Sequence, residues 1–334
     1  MIKSSFGILV RPKPLFAALF AMILAWGGFA WGQSDYPARP VRIVVPYPPG
    51  GTTDVATRIY AKGLADMLGQ QFIVENRPGG GTNIGAEMVA RSAPDGYTLF
   101  VVQAASHGIN PSLFGNLSYD PVKDFSAAGF MARTAMFLVI NASLPVSSVQ
   151  GLVDYARVNF GKLNFASAGN GSPQHLAGVL LKQRTGIDVV HVPYKGSAPA
   201  IADLTGGQVQ FAFLSLDGMV SNLVRDGKLK VVAVAASKRW PTEPQVSSMS
   251  ESGIPDFEVL SFFGLSAPAK TPEPILEKLN RAMVEISQRE ETKKRLADMG
   301  LVPMVATREE MTAFIIKGIE EWRPIVKAAG AKID

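Results

Sequence analysis

The fold of this chain is decided by the stretch Val41-Arg-Ile-Val-Val-Pro-Tyr-Pro-Pro-Gly-Gly-Thr-Thr-Asp54. Its β-branched start is typical of a buried strand, and the prolines that follow end that strand. Gly50 and Gly51 carry no Cβ, so their backbone N–H groups can approach a ligand closely. Thr52 or Thr53 is expected to cap the next helix, whose first-turn N–H groups lack intrahelical partners. A strand, a glycine turn and a helix N-terminus in this order predict a binding site for an anion such as a carboxylate.

Outward from this stretch, short β-branched runs alternate with helical patterns at the spacing of βα units. The first series has predicted strands at Val41–Val45, Phe72–Glu75 and Thr98–Val102, with helices at Asp54–Leu68 and Ile84–Ala93. The second has strands at Leu163–Ala166, Asp188–Val192, Gln208–Leu214 and Lys230–Ala235, with helices at Gln174–Thr185, Ala198–Thr205 and Gly218–Arg225. Two more helices are predicted at Pro272–Gln288, capped by Thr271, and at Arg308–Ala329. The alternation predicts an α/β protein of two doubly wound, Rossmann-like domains with mainly parallel sheets around a ligand cleft.

The composition is that of a globular protein, because 47% of the 334 residues are apolar and 18% are charged. The chain has no cysteine, which excludes disulfides, thiolate metal sites and cysteine nucleophiles. Residues 1–32 contain three basic and no acidic residues. Without them, 30 basic and 28 acidic residues remain, a net charge of +2. This balance gives no support for a nucleic-acid partner.

The N-terminal segment has the pattern of a secretory signal peptide over residues 1–32. Its basic residues precede an unbroken apolar run of 12 residues, Leu15–Trp26, and the small residues Ala30 and Gly32 follow. The alternative is a membrane anchor, since the uncharged stretch from Leu15 to Gly32 reaches 18 residues. The glycines of this stretch and its small-residue end favour the signal peptide. We therefore expect an exported, soluble protein, cleaved near Gly32.

A second glycine turn, Phe165-Ala-Ser-Ala-Gly-Asn-Gly-Ser-Pro-Gln-His175, also lies between a predicted strand and a predicted helix. One such turn is usually only a connection. Two in equivalent places favour a cleft lined by two helix N-termini, which would hold a diacid from both sides. The turn also contains Ser172 and His175, so a secreted hydrolase is an alternative, although no GxSxG sequence is present.

Other ligand classes find little support in the motifs. A third glycine cluster, Arg77–Gly85, lacks the dinucleotide spacing, and no phosphate-binding GxxxxGK[ST] sequence occurs. The histidines are His107, His175 and His191, and none has a histidine partner at metal-ligand spacing. We interpret His107 and His175 as hydrogen-bonding groups for a ligand and His191, inside a strand, as structural. No cofactor and no metal are expected.

Asp54 leaves two interpretations open. A carboxylate in the first helical turn suits the helix dipole, but it would repel an anionic ligand if it faced the cleft. It either turns aside and fixes the loop, or it receives an ammonium or hydroxyl group of the ligand.

Further motifs follow one another along the chain: Tyr36-Pro-x-Arg-Pro-Val-Arg-Ile-Val-Val-Pro46, Pro49-Gly-Gly-Thr-Thr-Asp54, Val74-Glu-Asn-Arg-Pro-Gly79, Asn83-Ile-Gly-Ala86, Pro94-Asp-Gly-Tyr-Thr-Leu99 and His191-Val-Pro-Tyr-Lys-Gly196. In this order, from about Tyr36 to the C-terminus, the chain resembles the Bug-type solute receptors of tripartite tricarboxylate transporters. The resemblance departs from the family at Phe262-Phe263, where a Trp-Phe pair is common.

The resemblance implies a type II periplasmic binding protein that has no catalytic activity. It implies a monomer in the periplasm that captures a small organic carboxylate and delivers it to the membrane subunits of a transporter. A sensory role is the alternative to transport. The implied domains are residues 33–134 with 258–334, and residues 135–257, after the signal peptide 1–32.

The resemblance also implies that the turns Tyr47–Asp54 and Ala168–His175 hold a ligand carboxylate between them. Ser106 and His107 fall in the family's polar cleft segment, and Tyr194, Lys195 and Asp217 fall at the cleft edge. The predicted ligand-binding residues are Tyr47, Gly50, Gly51, Thr52, Thr53, Asp54, Ser106, His107, Ala168, Gly169, Asn170, Gly171, Ser172, His175, Tyr194 and Asp217.

Overall fold

A computed structural model of the protein describes residues 36–333, which contain two sheets. The first series consists of β1 (Val41–Val45), α1 (Thr52–Leu68), β2 (Phe72–Asn76), α2 (Asn83–Ala90) and β3 (Thr98–Gln103). Strand β1 is buried and runs parallel to β2 on one side and β3 on the other. Helix α1 forms because Ile59, Tyr60 and Leu64 lie on one face and pack into the same core as β1. It ends at Gly69, whose φ of 75° suits a residue without a side chain.

A π-helix (Ala104–Ile109) and the short helix α3 (Asn110–Leu113) lead from β3 to the long strand β4 (Phe125–Ala135). The second sheet follows, built from β5 (Phe137–Asn141), α4 (Val149–Val158), β6 (Asn164–Ser167), α5 (Pro173–Thr185), β7 (Val190–Pro193), α6 (Ser197–Thr205), β8 (Phe211–Leu214), α7 (Gly218–Arg225) and β9 (Leu229–Val234). Its strand order is β7-β6-β8-β5-β9. Strand β6 runs parallel to β7 and β8, so both the β6–α5 and the β8–α7 connections lie at the same edge of this sheet.

The chain then returns to the first sheet through β10 (Leu260–Pro268), α8 (Glu273–Gln288), α9 (Glu290–Ala297), β11 (Val302–Pro303) and α10 (Arg308–Ala328). The order of this sheet is β11-β4-β10-β3-β1-β2. Strand β10 therefore lies at its centre, antiparallel to β3 and to β4. Helix α8 packs on this sheet through Leu279, Met283 and Ile286. The end of α10 reaches the other domain, since Trp322 lies in one buried cluster with Phe165.

The predicted fold class is confirmed, but the prediction of mainly parallel sheets is wrong. Both sheets are mixed, because β4, β5 and β10 run antiparallel to their neighbours. The sequence pattern missed these three strands. Strand β4 reads Phe-Ser-Ala-Ala-Gly-Phe-Met-Ala-Arg-Thr-Ala, in which alanine and glycine weaken the β-branched signal. The prediction that Thr271 caps α8 is also wrong. Helix α8 begins at Glu273, and the Thr271 hydroxyl donates to Pro268 O at 2.8 Å.

The two sheets are joined by the segment around Met136 and the segment around Val259. Met136 N–H donates to Val259 O at 3.2 Å, and Val259 N–H donates to Ala235 O at 2.9 Å. The domain limits 33–134, 135–257 and 258–334 stay a prediction, and the predicted signal peptide lies outside the described residues. In residues 36–333, every helix is too short or too polar to span a bilayer.

Candidate functional site

The first glycine turn, Tyr47–Asp54, leaves the N-terminus of α1 without a side-chain cap. Gly51 is the N-cap residue, in an extended conformation with φ −77° and ψ 167°. The predicted cap by Thr52 or Thr53 is wrong, because both threonines belong to the helix. Thr53 is buried, and its hydroxyl accepts a hydrogen bond from Gln103 Nε2 at 2.6 Å. The first-turn N–H groups of α1 therefore face the exposed turn, where an anion can bind.

Asp54 hydrogen-bonds within the first glycine turn and fixes it. Its carboxylate accepts hydrogen bonds from Gly50 N at 3.0 Å, Asn76 Nδ2 at 2.9 Å and Arg58 Nε at 2.9 Å. Burial raises the pKa of Asp54, but the hydrogen bonds from Arg58, Gly50 and Asn76 outweigh burial and hold the pKa below its ordinary value. Asn76 also donates to Tyr47 O at 3.0 Å, so the same cluster holds both ends of the turn. Of the two interpretations of Asp54, the geometry favours the structural one.

The second glycine turn, Ala168–His175, satisfies most of its own backbone groups. Gly169 N donates to Ser167 Oγ at 3.1 Å, and Gly171 N donates to His175 Nδ1 at 3.1 Å. Ser172 caps α5, with His175 N donating to its Oγ at 3.3 Å. Asn170 is exposed, and Ala168, Gly169 and Ser172 are half-buried. The two turns therefore differ, because the first offers an uncapped helix and the second a turn whose own side chains fix it.

The Ser172 hydroxyl donates to Gly169 O at 2.7 Å and is not hydrogen-bonded to the imidazole ring of His175. The ring nitrogen Nδ1 of His175 is already engaged by Gly171 N–H. A serine nucleophile needs a base that accepts its proton. The local geometry thus provides no activated serine, and the hydrolase alternative has no support.

Gly171 also brings the second turn against the first domain. Its φ is 74°, and a Cβ on it would lie 2.5 Å from Leu113 Cδ2 of helix α3. A side chain at this position would therefore require the Leu113 side chain to shift. The positive φ favours glycine here, and Leu113 leaves little room for a Cβ.

Ser106 and His107 are fully buried in the first domain, and the structure does not bring them to the glycine turns' exposed surface. Ser106 Oγ lies 3.0 Å from His107 Nδ1 and accepts from Gln103 N at 3.2 Å. The His107 ring packs against Phe100 and Phe125, and burial lowers the pKa of His107 to about 3. Direct contact of Ser106 or His107 with a ligand is not favoured, and a neutral packing role fits them better.

Tyr194 and Asp217 lie half-buried after β7 and β8. The Tyr194 hydroxyl donates to Asp203 Oδ2 at 2.6 Å, and burial together with Asp203 raises the pKa of Tyr194 to about 12. Asp217 caps α7, accepting from Met219 N at 3.1 Å and Val220 N at 3.0 Å. Asp217 thus has a local structural role, as Asp54 has in the first domain.

The sequence analysis missed several groups that shape the site. Arg58 and Asn76 hold Asp54, Gln103 holds Thr53, and His191 Nε2 lies 2.6 Å from Ser167 Oγ. Arg58 could have been found from its i,i+4 spacing to Asp54. The other contacts join residues that are distant in sequence, and no local pattern signals them. Residues 36–333 contain no cluster of three histidine, aspartate or glutamate side chains suited to a metal ion.

Two doubly wound domains, with a glycine turn before a helix in each, form the architecture of a two-domain ligand-binding protein. Residues 56–331 match the family described as tripartite tricarboxylate transporter family receptor. The chain is 34% identical to Protein BugT of Bordetella pertussis, over 95% of this chain and 98% of BugT. It therefore belongs to the tripartite tricarboxylate transporter receptor family, and it is a solute receptor and not an enzyme.

Solved structures agree with this assignment. The structure of R. palustris Rpa4515 with adipate has 34% sequence identity and a TM-score of 0.80, covering 89% of this chain and 100% of that chain. MatC (Rpa3494) from Rhodopseudomonas palustris with bound malate has 33% identity and a TM-score of 0.75, covering 87% of this chain and 100% of that chain. Both relatives are thus similar to this chain over nearly their whole fold.

Proposed function

We propose that this receptor binds a small aliphatic dicarboxylate in the cleft between its domains and delivers it to the membrane subunits of its transporter. The observation that carries the proposal is the uncapped N-terminus of α1 behind Gly50 and Gly51. Adipate and malate, present in the two similar structures, are both dicarboxylates. One carboxylate of such a ligand would accept hydrogen bonds from the first-turn N–H groups of α1.

The residues proposed to contact the ligand come from both turns and from the rim beside β7. They are Tyr47, Gly50, Gly51, Thr52, Thr53, Ala168, Gly169, Asn170, Gly171, Ser172 and Tyr194. Asp54, His175 and Asp217 are proposed to act by fixing the turns, since each already bonds to the backbone or to a charged partner.

The experiment is a thermal-shift screen of carboxylic acids on the protein without residues 1–32, followed by calorimetry. We expect dicarboxylates to raise the melting temperature and the matched monocarboxylates of equal chain length to have a much smaller effect. Equal shifts by dicarboxylates and monocarboxylates would contradict a dicarboxylate ligand. No shift with any carboxylate would contradict the proposed function.

We also propose export with removal of the first 32 residues, and a monomeric receptor. The basic start, the apolar run and the small residues Ala30 and Gly32 support cleavage near Gly32. Mass spectrometry of the exported protein should show a chain that begins close to Gln33, and light scattering should give the mass of one chain. An exported protein that retains Met1 would contradict the cleavage.

A further inference from the structure

Two imidazole rings from different elements stack beside the second glycine turn. His175 lies in the first turn of α5 and His191 in β7, with ring centroids 3.9 Å apart and planes inclined by 13°. Phe165 of β6 lies beside both rings, with centroid distances of 4.9 Å to His191 and 6.4 Å to His175. The three rings form a cluster under the turn, and the two histidines are its only titratable members.

Each histidine of the pair is connected to one glycine of the turn. His175 Nδ1 accepts the hydrogen bond from Gly171 N at 3.1 Å. His191 Nε2 lies 2.6 Å from Ser167 Oγ, and that hydroxyl oxygen accepts from Gly169 N at 3.1 Å. Gly169 and Gly171 have φ values of 132° and 74°, so the turn has a conformation that needs support from its surroundings.

We propose that His175 and His191 are a pair of positioning residues that hold the second glycine turn in its ligand-binding shape while both rings are neutral, and that acid releases the turn. This inference rests on the proposed function of the turn in carboxylate binding. The step is a protonation in which water supplies the proton. Once Nδ1 of His175 carries a proton, it faces Gly171 N–H as a second donor, and the hydrogen bond is lost.

Solvent can reach the pair through a cavity that also borders the turn at Asn170. Both rings line a cavity of about 640 Å³ between α5, β7 and the C-terminal residues 328–332. The charged side chains that line it are Lys182 of α5 and Lys332 of the C-terminal segment. The nearby carboxylate of Asp188 is 3.6 Å from Lys182 Nζ, which also donates to Val189 O at 2.9 Å. No carboxylate among the cavity-lining residues would compensate a proton on the pair.

The direction of the pH effect follows from burial and from the stacking. Burial lowers the pKa of His175, and burial together with the charge of His175 lowers the pKa of His191 to about 4. The folded protein therefore binds fewer protons than the unfolded chain just below the ordinary histidine pKa. The two histidines therefore support the turn fully above about pH 6.5. This support is lost as the pH falls through the lowered pKa values of the folded state.

Two substitutions at one position separate the hydrogen bond from the titration. In His175→Asn the side-chain Oδ1 can accept from Gly171 N and has no proton to gain. In His175→Phe the aromatic stacking is kept and the acceptor is lost. The Gly171 amide is followed by NMR between pH 7.5 and 3, by its chemical shift and its hydrogen exchange. Adipate affinity, or that of the tightest acid of the screen, is measured by calorimetry at the same pH values.

We expect the wild-type Gly171 amide to change with the same midpoint as the ring protons of the pair, and the His175→Asn variant to show no such step. We expect His175→Phe to exchange this amide faster at every pH and to bind about three- to tenfold more weakly, as for one lost hydrogen bond. The ligand's own carboxylates also take up protons in this pH range, which changes the affinity. The affinity of His175→Asn at the same pH values measures this contribution of the ligand. Circular dichroism checks that both variants are folded.

Identical amide profiles in the wild type and His175→Asn would overturn the inference. If the Gly171 amide shows the pH-dependent step but His175→Phe keeps the wild-type affinity, the part of the inference that concerns ligand binding is overturned. This turn would then not belong to the ligand site. A wild type that binds no carboxylate would overturn the proposed function, whereas the amide profile would still decide whether the histidines hold the turn.

Discussion

Gly50 and Gly51 are neighbours in sequence but are required for different reasons. Gly50 has a φ of 86°, which side chains disfavour, and its N–H is engaged by Asp54. Gly51 is extended and caps α1, and the nearest atom to a Cβ on it would be Pro48 O at 3.9 Å. A side chain at Gly51 is therefore tolerated by the fold, and it would occupy space that the proposed ligand needs.

The first prediction is that Gly51→Val folds normally and binds its carboxylate at least tenfold more weakly. The branched side chain blocks close approach to the α1 N–H groups, with loss of one or two charge-assisted hydrogen bonds of about 1.5–3 kcal/mol each. Calorimetry measures the affinity and circular dichroism the fold. Gly51→Ala is the matched control, with a smaller loss. Wild-type affinity in folded Gly51→Val would remove this turn from the site.

The second prediction concerns Asp54→Asn. At pH 7 we expect this variant to lose about 1–3 kcal/mol of unfolding free energy, because hydrogen bonds from Arg58 and Gly50 to a charged acceptor are weakened. The folded-state pKa of Asp54 is lowered, so its contribution is present above the ordinary pKa and is lost as the pH falls through the folded pKa. Urea unfolding at pH 7 and near pH 3 should show the difference shrinking at the lower pH. A constant difference would contradict a charge-dependent role.

At the scale of elements, the second glycine turn rests on helix α3. Gly171 and Leu113 are in contact across the domain boundary, and Leu113 is 4% exposed. The contact joins a turn predicted as ligand-binding to a helix that the sequence analysis did not single out. Packing at this contact fixes how close the turn can come to the first domain.

The third prediction is a double-mutant cycle on this contact. Gly171→Ala should lower the unfolding free energy by about 1–3 kcal/mol through overpacking, with a further loss from its φ of 74°. Leu113→Ala removes the clashing methyl groups and costs about 2–5 kcal/mol by itself. The double variant should lose less than the sum of the two, as measured by urea unfolding. Additive losses would show that the two residues do not interact.

The elements also show what the sequence could and could not predict. Strand β1, α1 and the βα units after it were predictable, because hydrophobic period and glycine turns are local signals. Strand β10 was not, because its partners β3 and β4 lie more than a hundred residues earlier. At the site, both glycine turns were predicted, but the roles of Asp54, Ser172 and His175 depend on hydrogen bonds that only the folded chain shows. The missing cap of α1 also appears only in the structure.

At the scale of the whole molecule, the described residues contain two tryptophans, and both lie where the domains meet. Trp240 Nε1 donates to Gly300 O at 3.4 Å, and its ring faces the Arg133 guanidinium at 5.4 Å. A Cβ on Gly108 would lie 3.1 Å from Trp322 Cδ1, and Trp322 packs into the core shared with Phe165. Movement of one domain against the other would change the surroundings of both rings.

The fourth prediction is that dicarboxylate binding changes the tryptophan emission of the protein without residues 1–32. The change should saturate at the affinity found by calorimetry and should be weak in Gly51→Val at the same ligand concentration. Trp240→Phe and Trp322→Phe assign the signal to one side of the cleft. Emission that stays constant at saturating ligand, as judged by calorimetry, would contradict a movement of one domain against the other on binding.

The central position of β10 has a consequence for how an exported chain acquires its structure. A chain that crosses a membrane N-terminus first delivers β1 to β4 early, but β3 and β4 do not pair with each other and both need β10 between them. Strand β10 emerges only after every strand of the second sheet. The first sheet therefore cannot close while most of the chain is still inside the cell. If the protein is exported as proposed, β1 to β4 cross first and the first sheet is completed only when β10 follows them late in translocation.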